Sequence, residues 1–444
     1  MLSFYVICDP HYFENSLGAA GEAYEARSLT DQKCIAETGA IIDAAFAKLA
    51  EDHDTNIIII PGDLTFNGEP ESHAAMIEKL SELKKLGKEI YIVSGNHDGD
   101  HEAYAFKDAE KFTIPNVSHE DLKTLYADFG LNQAIAIDHT KTCYVVQLCD
   151  TVRLLGINYN LGAKNSGFDA YFDWILAQVE DAKQNGQLIF GMMHVPMLPG
   201  SPILELPTDA TIKDGKKFAA RLANAGLPLM FTGHMHMQSV NKLVTQQGNF
   251  FVDICTGSLV GGPAMIRKCT IDENLSMTVT SHASVLDFDW DKNGMTADEY
   301  FAWRFERKVR NEIEGAVKDK KLAQKLLNIR LGTLAKILLF RADKSLKDKM
   351  LIDVSCDIVR RVFYGDQEFT SETPEHKFLM KVLRRLRLVI RIAEKKLASK
   401  NEIFADIPAL VSELIGKELK IDNHCVIDLK SGAIAPIESV GRSS

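Results

Sequence analysis

Within the first 240 residues, five short apolar runs stop in the same way. Ser3 to Cys8 runs into Asp9-Pro10-His11, and Asn56 to Ile60 runs into Pro61-Gly62-Asp63. Ile90 to Val93 is followed by Ser94-Gly95-Asn96-His97-Asp98, Gln187 to Met193 by His194, and Leu229 to Thr232 by Gly233-His234-Met235-His236. Runs of this length, bounded by turn residues, read as buried strands. Between them the apolar spacing becomes helical. Thr30 or Asp31 is placed to cap a helix running to about Glu51, with Ile35, Thr38, Ile42, Ala45 and Leu49 on one face. Glu71 to Leu86 reads as a second helix, ended by Gly87. Strand and helix thus alternate. The polar residues fall just past the carboxyl ends of the strands, where open α/β sheets carry their chemistry.

Further on, the stretch from Gly99 to His139 is less regular, with one helical pattern from Asp121 to Phe129. Cys143 to Leu148 and Val152 to Ile157 read as a hairpin, and Ala170–Asn185 and Asp214–Ala225 as helices. Strand-like runs at Phe250–Cys255, Ala264–Ile271 and Met277–Ser281 follow with no helix between them. That order favours two helix-covered sheets over one doubly wound sheet. From Ala297 to Lys400 the pattern is helical throughout, with helices expected near 297–320, 321–340, 344–363 and 375–398. Asn401 to Ser444 adds a short helix and a hairpin-like tail. A length of 444 residues exceeds what one core usually holds, so two domains are expected, 1–290 and 291–444.

Charge divides along the same line. Residues 297–400 hold 25 Lys and Arg against 15 Asp and Glu, near +10, while the whole chain is −10, so the rest is near −20. The net balance argues against nucleic-acid or anionic-membrane binding by the chain as a whole. No apolar run approaches the roughly 20 residues of a membrane span. The eight cysteines form no CxxC pair, several lie inside strand-like runs, and no leader pattern follows Met1, so a reduced, cytoplasmic setting is expected.

Asp9, His11, Asp63, Asn96, His194, His234 and His236 form a set of carboxylate, imidazole and amide donors without a thiolate motif. Such a set suits Mn, Fe or Zn ions. One ion uses about four protein ligands, so seven point to two ions, and Asp63 can give one carboxylate oxygen to each. A pair of divalent ions can hold and acidify a water and stabilise both oxygens of a phosphoryl displacement. His97 need not be a ligand; placed over the site it can bind a phosphate oxygen or protonate a leaving alkoxide, with Asp98 accepting its ring N–H. Gly62 and Gly95 allow sharp turns where a side chain would crowd the ions. Asn67, His73 and His101 are candidates for the substrate pocket, although a histidine at a helix start, as His73 is, more often has a structural role.

In this order, Asp9-x-His11, Gly62-Asp63, Gly95-Asn-His-Asp98, His194 and Gly233-His-x-His236 resemble the five sequence blocks of the calcineurin-like metallophosphoesterases. The resemblance covers about residues 1–285. It implies a four-layer αββα sandwich with a di-metal site on its rim. It further implies Asp9, His11, Asp63 and His236 around one ion, Asp63, Asn96, His194 and His234 around the other, and His97 as the catalytic histidine with Asp98 as partner. Protein serine/threonine phosphatases carry an arginine after Gly-Asp. This chain instead reads Gly62-Asp-Leu-Thr-Phe-Asn-Gly-Glu69, which is similar to class III cyclic-nucleotide phosphodiesterases, most closely to bacterial ones with a C-terminal helical domain. The implied activity is hydrolysis of a small phosphodiester, with a cyclic nucleotide favoured, by a metal-bridging hydroxide. A phosphomonoesterase or protein phosphatase of the same superfamily is the alternative. From a different class, a silent scaffold has no need of seven ligands. Oligomer formation is left open.

Overall fold

The architecture was analysed in a computed structural model, which describes residues 1–140, 143–159, 169–200, 204, 210–283, 294–316, 321, 325, 327–366, 370–398, 405–415 and 420–437. Two sheets of seven strands form its centre. In the first, the Leu2–Val6 strand lies parallel to Ile57–Pro61, which lies parallel to Glu89–Val93. On its other side Leu2–Val6 pairs antiparallel with Met265–Ile271, followed by Ser276–Ala283, His424–Asp428 and Ile434–Pro436. In the second, Leu229–Thr232 lies parallel to Phe250–Cys255 and Leu188–Met193, and Val152–Ile157 continues the parallel run. The edges of that sheet are Ser239–Val244, a strand the pattern did not reveal, and Ala136–Ile137 beyond Cys143–Cys149.

Residue alternation explains the layering. Ile57 and Ile59 face the second sheet, while Ile58 and Ile60 face the helices Thr38–Glu51 and Pro70–Lys85. A parallel strand covered on both faces reads as an unbroken apolar run, as this one does. Between the sheets, Phe4 stacks on Phe190 at 5.2 Å and meets the edge of Phe231 at 5.5 Å. The far side of the second sheet is covered by Asp169–Gln184 and Gly215–Ala225. The result is the expected helix–sheet–sheet–helix sandwich.

One local expectation fails. The helix expected from Thr30 begins as an α-helix only at Thr38, after a short 3₁₀ turn at Ile35–Glu37, and a separate helix, Glu22–Leu29, precedes it. The sequence between these helices, Asp31-Gln32-Lys33-Cys34, is an irregular segment buried against the sandwich. Its backbone is held by other elements: Cys34 N–H donates to Val260 O at 2.9 Å, and Gln32 Nε2 donates to Gly262 O at 3.3 Å. Tertiary hydrogen bonds have outcompeted the helical spacing.

The helical region is not detached. Its first helix, Ala297–Ala316, sets Tyr300 and Phe301 into the core under Thr38–Glu51. Leu351–Tyr364 packs on that helix through Ile352, Cys356, Phe305 and Val309. Pro374–Arg385 and Arg387–Ala398 follow as two helices where one was expected. The tail then returns to extend the first sheet. Among the described residues, no helix is long and apolar enough to cross a membrane. All eight cysteines are free, and all but Cys149 are buried.

Arg267 closes this return. Its fully buried guanidinium donates to Thr256 Oγ1 (3.0 Å), Ser281 Oγ (3.1 Å), Cys255 O (2.8 Å) and Asp422 O (2.6 Å). Replacing it would leave buried carbonyls without donors. Arg267→Met is expected to cost about 2–4 kcal/mol of stability, by the penalty for unsatisfied buried groups; chemical denaturation with an unchanged midpoint would contradict this.

Candidate metal centre

The five runs end flush on one rim, because the parallel registers hold Phe4 beside Ile57 and Ile57 beside Glu89. The turns that follow are tight and unusual. Asp9, His11, Asp63, His234 and His236 all have positive φ, between 41° and 66°. For residues other than glycine this region costs roughly 1–3 kcal/mol each and persists only where the surroundings enforce it. Here it turns five donor side chains inward. Gly62 has φ 91°, and a Cβ there would lie 2.7 Å from His194 Nδ1; a Cβ on Gly95 would overlap the Asp63 carboxylate. The two glycines act as their position in the sequence suggested.

All seven expected donors converge. Asp9, His11, Asp63 and His236 form one group with mutually close ligand atoms, and Asp63, His194 and His234 form another. Asn96 joins the second group: its Oδ1 is 3.0 Å from His194 Nε2 and 2.8 Å from His234 Nδ1. Asp63 is common to both, with Oδ2 3.4 Å from His11 Nε2 and 3.2 Å from His194 Nε2. His11 Nε2 and His236 Nε2 face each other at 2.9 Å. Donor atoms crowded in this way suit cations, and the hard and borderline set fits Mn, Fe or Zn.

Neighbouring groups aim the donors. His194 Nδ1–H donates to Pro61 O at 2.8 Å, leaving Nε2 for the centre. Asp9 Oδ1 accepts from the backbone N–H of His234 at 3.0 Å, and Asp63 Oδ1 from that of His97 at 2.9 Å. Burial opposes ionisation of Asp63, but the surrounding His194, His97 and His11 hold its carboxyl well below the usual range. Burial likewise opposes charge on His194, which the Asp63 carboxylate nevertheless raises to about 9.

His97 lies over the first group, its ring 4.9 Å from that of His11 and stacked on His101 at 4.6 Å. Its partner differs from the expected one. Nδ1 donates to Phe66 O at 2.8 Å, with Asn67 Oδ1 also at 2.8 Å. The Asp98 carboxylate is turned away and accepts instead from the backbone N–H of Gly95 (2.7 Å) and Thr65 (2.9 Å). Asp98 therefore holds the 63–68 loop against the 95–98 turn and reaches His97 only through that backbone. The reason is burial: the carboxylate has no exposure and needs the two donors that lie closest.

The minor candidates separate. Asn67 is buried and spends its side chain on His97. His73 does not line the pocket. It is enclosed between Tyr126 OH and Asp98 O, both at 2.8 Å, and burial pushes it down to about 4. Phe66 has no exposed surface; it packs against Phe13 and Tyr104. Lys33 and Arg27 cover that ring, with Lys33 Nζ 4.8 Å and Arg27 Cζ 5.4 Å from its centre. Neither cation belongs to a motif. The available signal was the Arg27…Asp31…Lys33 charge cluster around the start of the expected helix.

Asp63→Ala should lower metal occupancy in both groups together. Elemental analysis of the variant checks this, and retention of a full complement would remove Asp63 from its shared position.

Residues 2–238 match the family model described as calcineurin-like phosphoesterase. No curated protein matches by sequence. Among solved structures, a dimetal phosphatase from Danio rerio is 13% identical, with 64% of this chain and 96% of that one covered at a TM-score of 0.47. A purple acid phosphatase from yellow lupin, Lupinus luteus, is 10% identical (65% and 52% covered, TM-score 0.41). An NAD nucleotidase from Haemophilus influenzae is 11% identical (74% and 61% covered, TM-score 0.33). The family match runs from the first strand to just past the Gly233-His-Met-His236 turn and so takes in every donor of the centre, and on that ground the chain belongs to the calcineurin-like phosphoesterases.

Proposed function

We propose that this chain is a two-metal phosphodiesterase acting on a small diester, with cyclic nucleotides the favoured class. The observation that carries the hydrolytic reading is the sharing of Asp63 between two donor groups, with His97 fixed beside one of them. Asp9, His11, Asp63 and His236 would hold one ion, and Asp63, Asn96, His194 and His234 the other. When bound, such a pair acidifies water and neutralises charge developing on a phosphoryl group.

The remaining work falls to the protein. His97 has Nδ1 committed to Phe66 O, so Nε2 is the ring atom left to exchange a proton with the leaving oxygen. Asn67 and the Phe66 carbonyl limit rotation of the ring. Asp98 locks the two turns that carry Asp63 and His97, which fixes the distance between the metal donors and the proton donor.

The preference for diesters rests on charge. The 62–69 loop carries no arginine, so a phosphate dianion finds no cation there, and a diester monoanion needs less neutralisation. A monoester reading is favoured by one observation, the Arg27–Lys33 pair above Phe66. The test is kcat/KM for bis-p-nitrophenyl phosphate against p-nitrophenyl phosphate, in Mn²⁺, on one preparation. The diester should be preferred; a clear monoester preference would replace this reading by a phosphomonoesterase.

His97→Ala should keep its metal content and lose roughly 10²–10⁴-fold in kcat, the usual contribution of a placed acid or base. Normal turnover by that variant would assign proton transfer elsewhere.

A further inference from the structure

The helix Arg387–Ala398 presents aliphatic side chains to solvent along one side. Leu388, Val389 and Ile392 are 63–70% exposed. Their spacing, i, i+1 and i+4, keeps them within roughly 100° of arc on the helix. Ile390 falls on the opposite side and is partly buried. A second aliphatic group adjoins them. At the end of Leu331–Ile337, Ile337 is 63% exposed and Leu339 is 78% exposed. Leu339 has φ 59°, a left-handed conformation that glycine usually supplies at a helix end and that is costly for leucine. Arg385 Nη2 donates to Leu339 O at 3.0 Å, which sets Leu339 against the junction of Pro374–Arg385 with Arg387–Ala398. Single exposed aliphatic residues need no explanation, but several on adjoining elements mark an interaction surface.

The rest of this surface is basic. From Arg384 to Lys396 the chain holds six Arg and Lys against one acid, Glu394. Arg387, Arg391 and Lys395 recur every four residues and form a stripe beside the aliphatic arc. All three are exposed, as are Arg384 and Arg385. On the preceding helix, Glu375 and Lys377 are paired with Lys349 and Glu372. Among the described residues, Arg384, Arg387 and Arg391 enter no ion pair. Glu394 is occupied otherwise, accepting from the backbone N–H of Ile407 at 3.1 Å.

The chemistry of the surface selects its occupant. A second copy docked through the same face would set two basic stripes against each other. A nucleic acid would use the stripe, but its bases stack on aromatic side chains, and Arg384 to Lys396 contains none. An anionic bilayer uses both halves of the surface: its headgroups meet the arginines and its acyl boundary takes the aliphatic side chains. The −10 charge of the whole chain does not oppose this, because at physiological ionic strength exposed charges act over about 8 Å.

We propose that this surface docks the protein on an anionic lipid bilayer. The Arg387–Ala398 helix lies in the plane of the interface, with Leu388, Val389 and Ile392 below the headgroups and Arg384, Arg387 and Arg391 among them. Leu339 adds to the apolar contact. The association is peripheral and independent of the reaction at the metal centre.

Co-sedimentation of the full chain with vesicles tests this. Vesicles of equal parts phosphatidylglycerol and phosphatidylcholine are compared with vesicles of phosphatidylcholine alone. The protein should bind the anionic vesicles, bind the neutral ones about ten-fold or more weakly, and be released as salt is raised. Changing Arg384→Gln, Arg387→Gln and Arg391→Gln together should lower binding on the order of a hundred-fold, at about five-fold for each basic residue. Changing Leu388→Ser, Val389→Ser and Ile392→Ser together should lower it about ten-fold or more, through lost apolar burial. The six positions are exposed, so both variants should keep the circular dichroism spectrum of the wild type. In Ile392→Trp the added indole should shift its emission to the blue on anionic vesicles, which tests the insertion even if a triple variant fails to fold. Absence of wild-type binding to anionic vesicles, undiminished binding by either folded triple variant, or an unshifted indole would overturn the proposal. So would an oligonucleotide complex lost in the arginine variant, or a dimer lost in the serine variant, where vesicles do not bind.

Discussion

The structure depends on one crowded cluster of polar side chains. Seven candidate donors meet at the carboxyl ends of five strands, with two imidazole nitrogens 2.9 Å apart and a carboxylate common to both groups. The backbone there is costly, since five of the seven sit at positive φ. The sandwich offsets this with two large sheets whose inward faces are packed on each other and whose outward faces are covered by helices. The parallel registers supply the rigidity, because neighbouring strands end together and leave the turns no room to relax outward.

The second constraint is the way the helical region is attached. Among the described residues, the buried contacts that tie it to the sandwich include Arg304 on the 28–33 segment, Arg267 on Asp422 O, the Gln238 N–H donated to Phe363 O at 2.8 Å and the Val240 N–H donated to Asp422 Oδ1 at 3.0 Å. Being buried, these contacts should be little affected by salt. The basic surface of these helices is a separate property. From the helical region, Arg304 holds the backbone of the 31–33 segment in the sandwich.

Much of this was legible in the sequence because strand ends are local. A short apolar run followed by Gly-Asp or Gly-Asn-His-Asp shows both the element and the polar residue that ends it, and the seven candidate donors that converge in the structure were read from such strand ends. The layering was legible too, since the strands between Phe250 and Ala283 follow one another with no helix between them. The 31–34 segment was not. It is set by hydrogen bonds from Cys34 to Val260, from Gln32 to Gly262 and from Arg304, all distant in sequence, and its residues happened to fit a helical period. The partner of His97 was missed for a related reason: Asp98 is adjacent in sequence, but its carboxylate is claimed by two buried backbone N–H groups, while a carbonyl from the 62–69 loop takes the ring. His73 takes the structural role that its place at a helix start favoured, enclosed by Tyr126, which is distant in sequence.

The central claim is that the two donor groups form one working centre that shares a carboxylate and hydrolyses phosphoesters. It is tested most directly by titrating metal-free protein with Mn²⁺ while following bound metal per chain and p-nitrophenyl ester hydrolysis together. The account predicts two ions bound per chain and activity that appears with the second. Full activity at one ion per chain, or hydrolysis that persists when metal is removed, would contradict it.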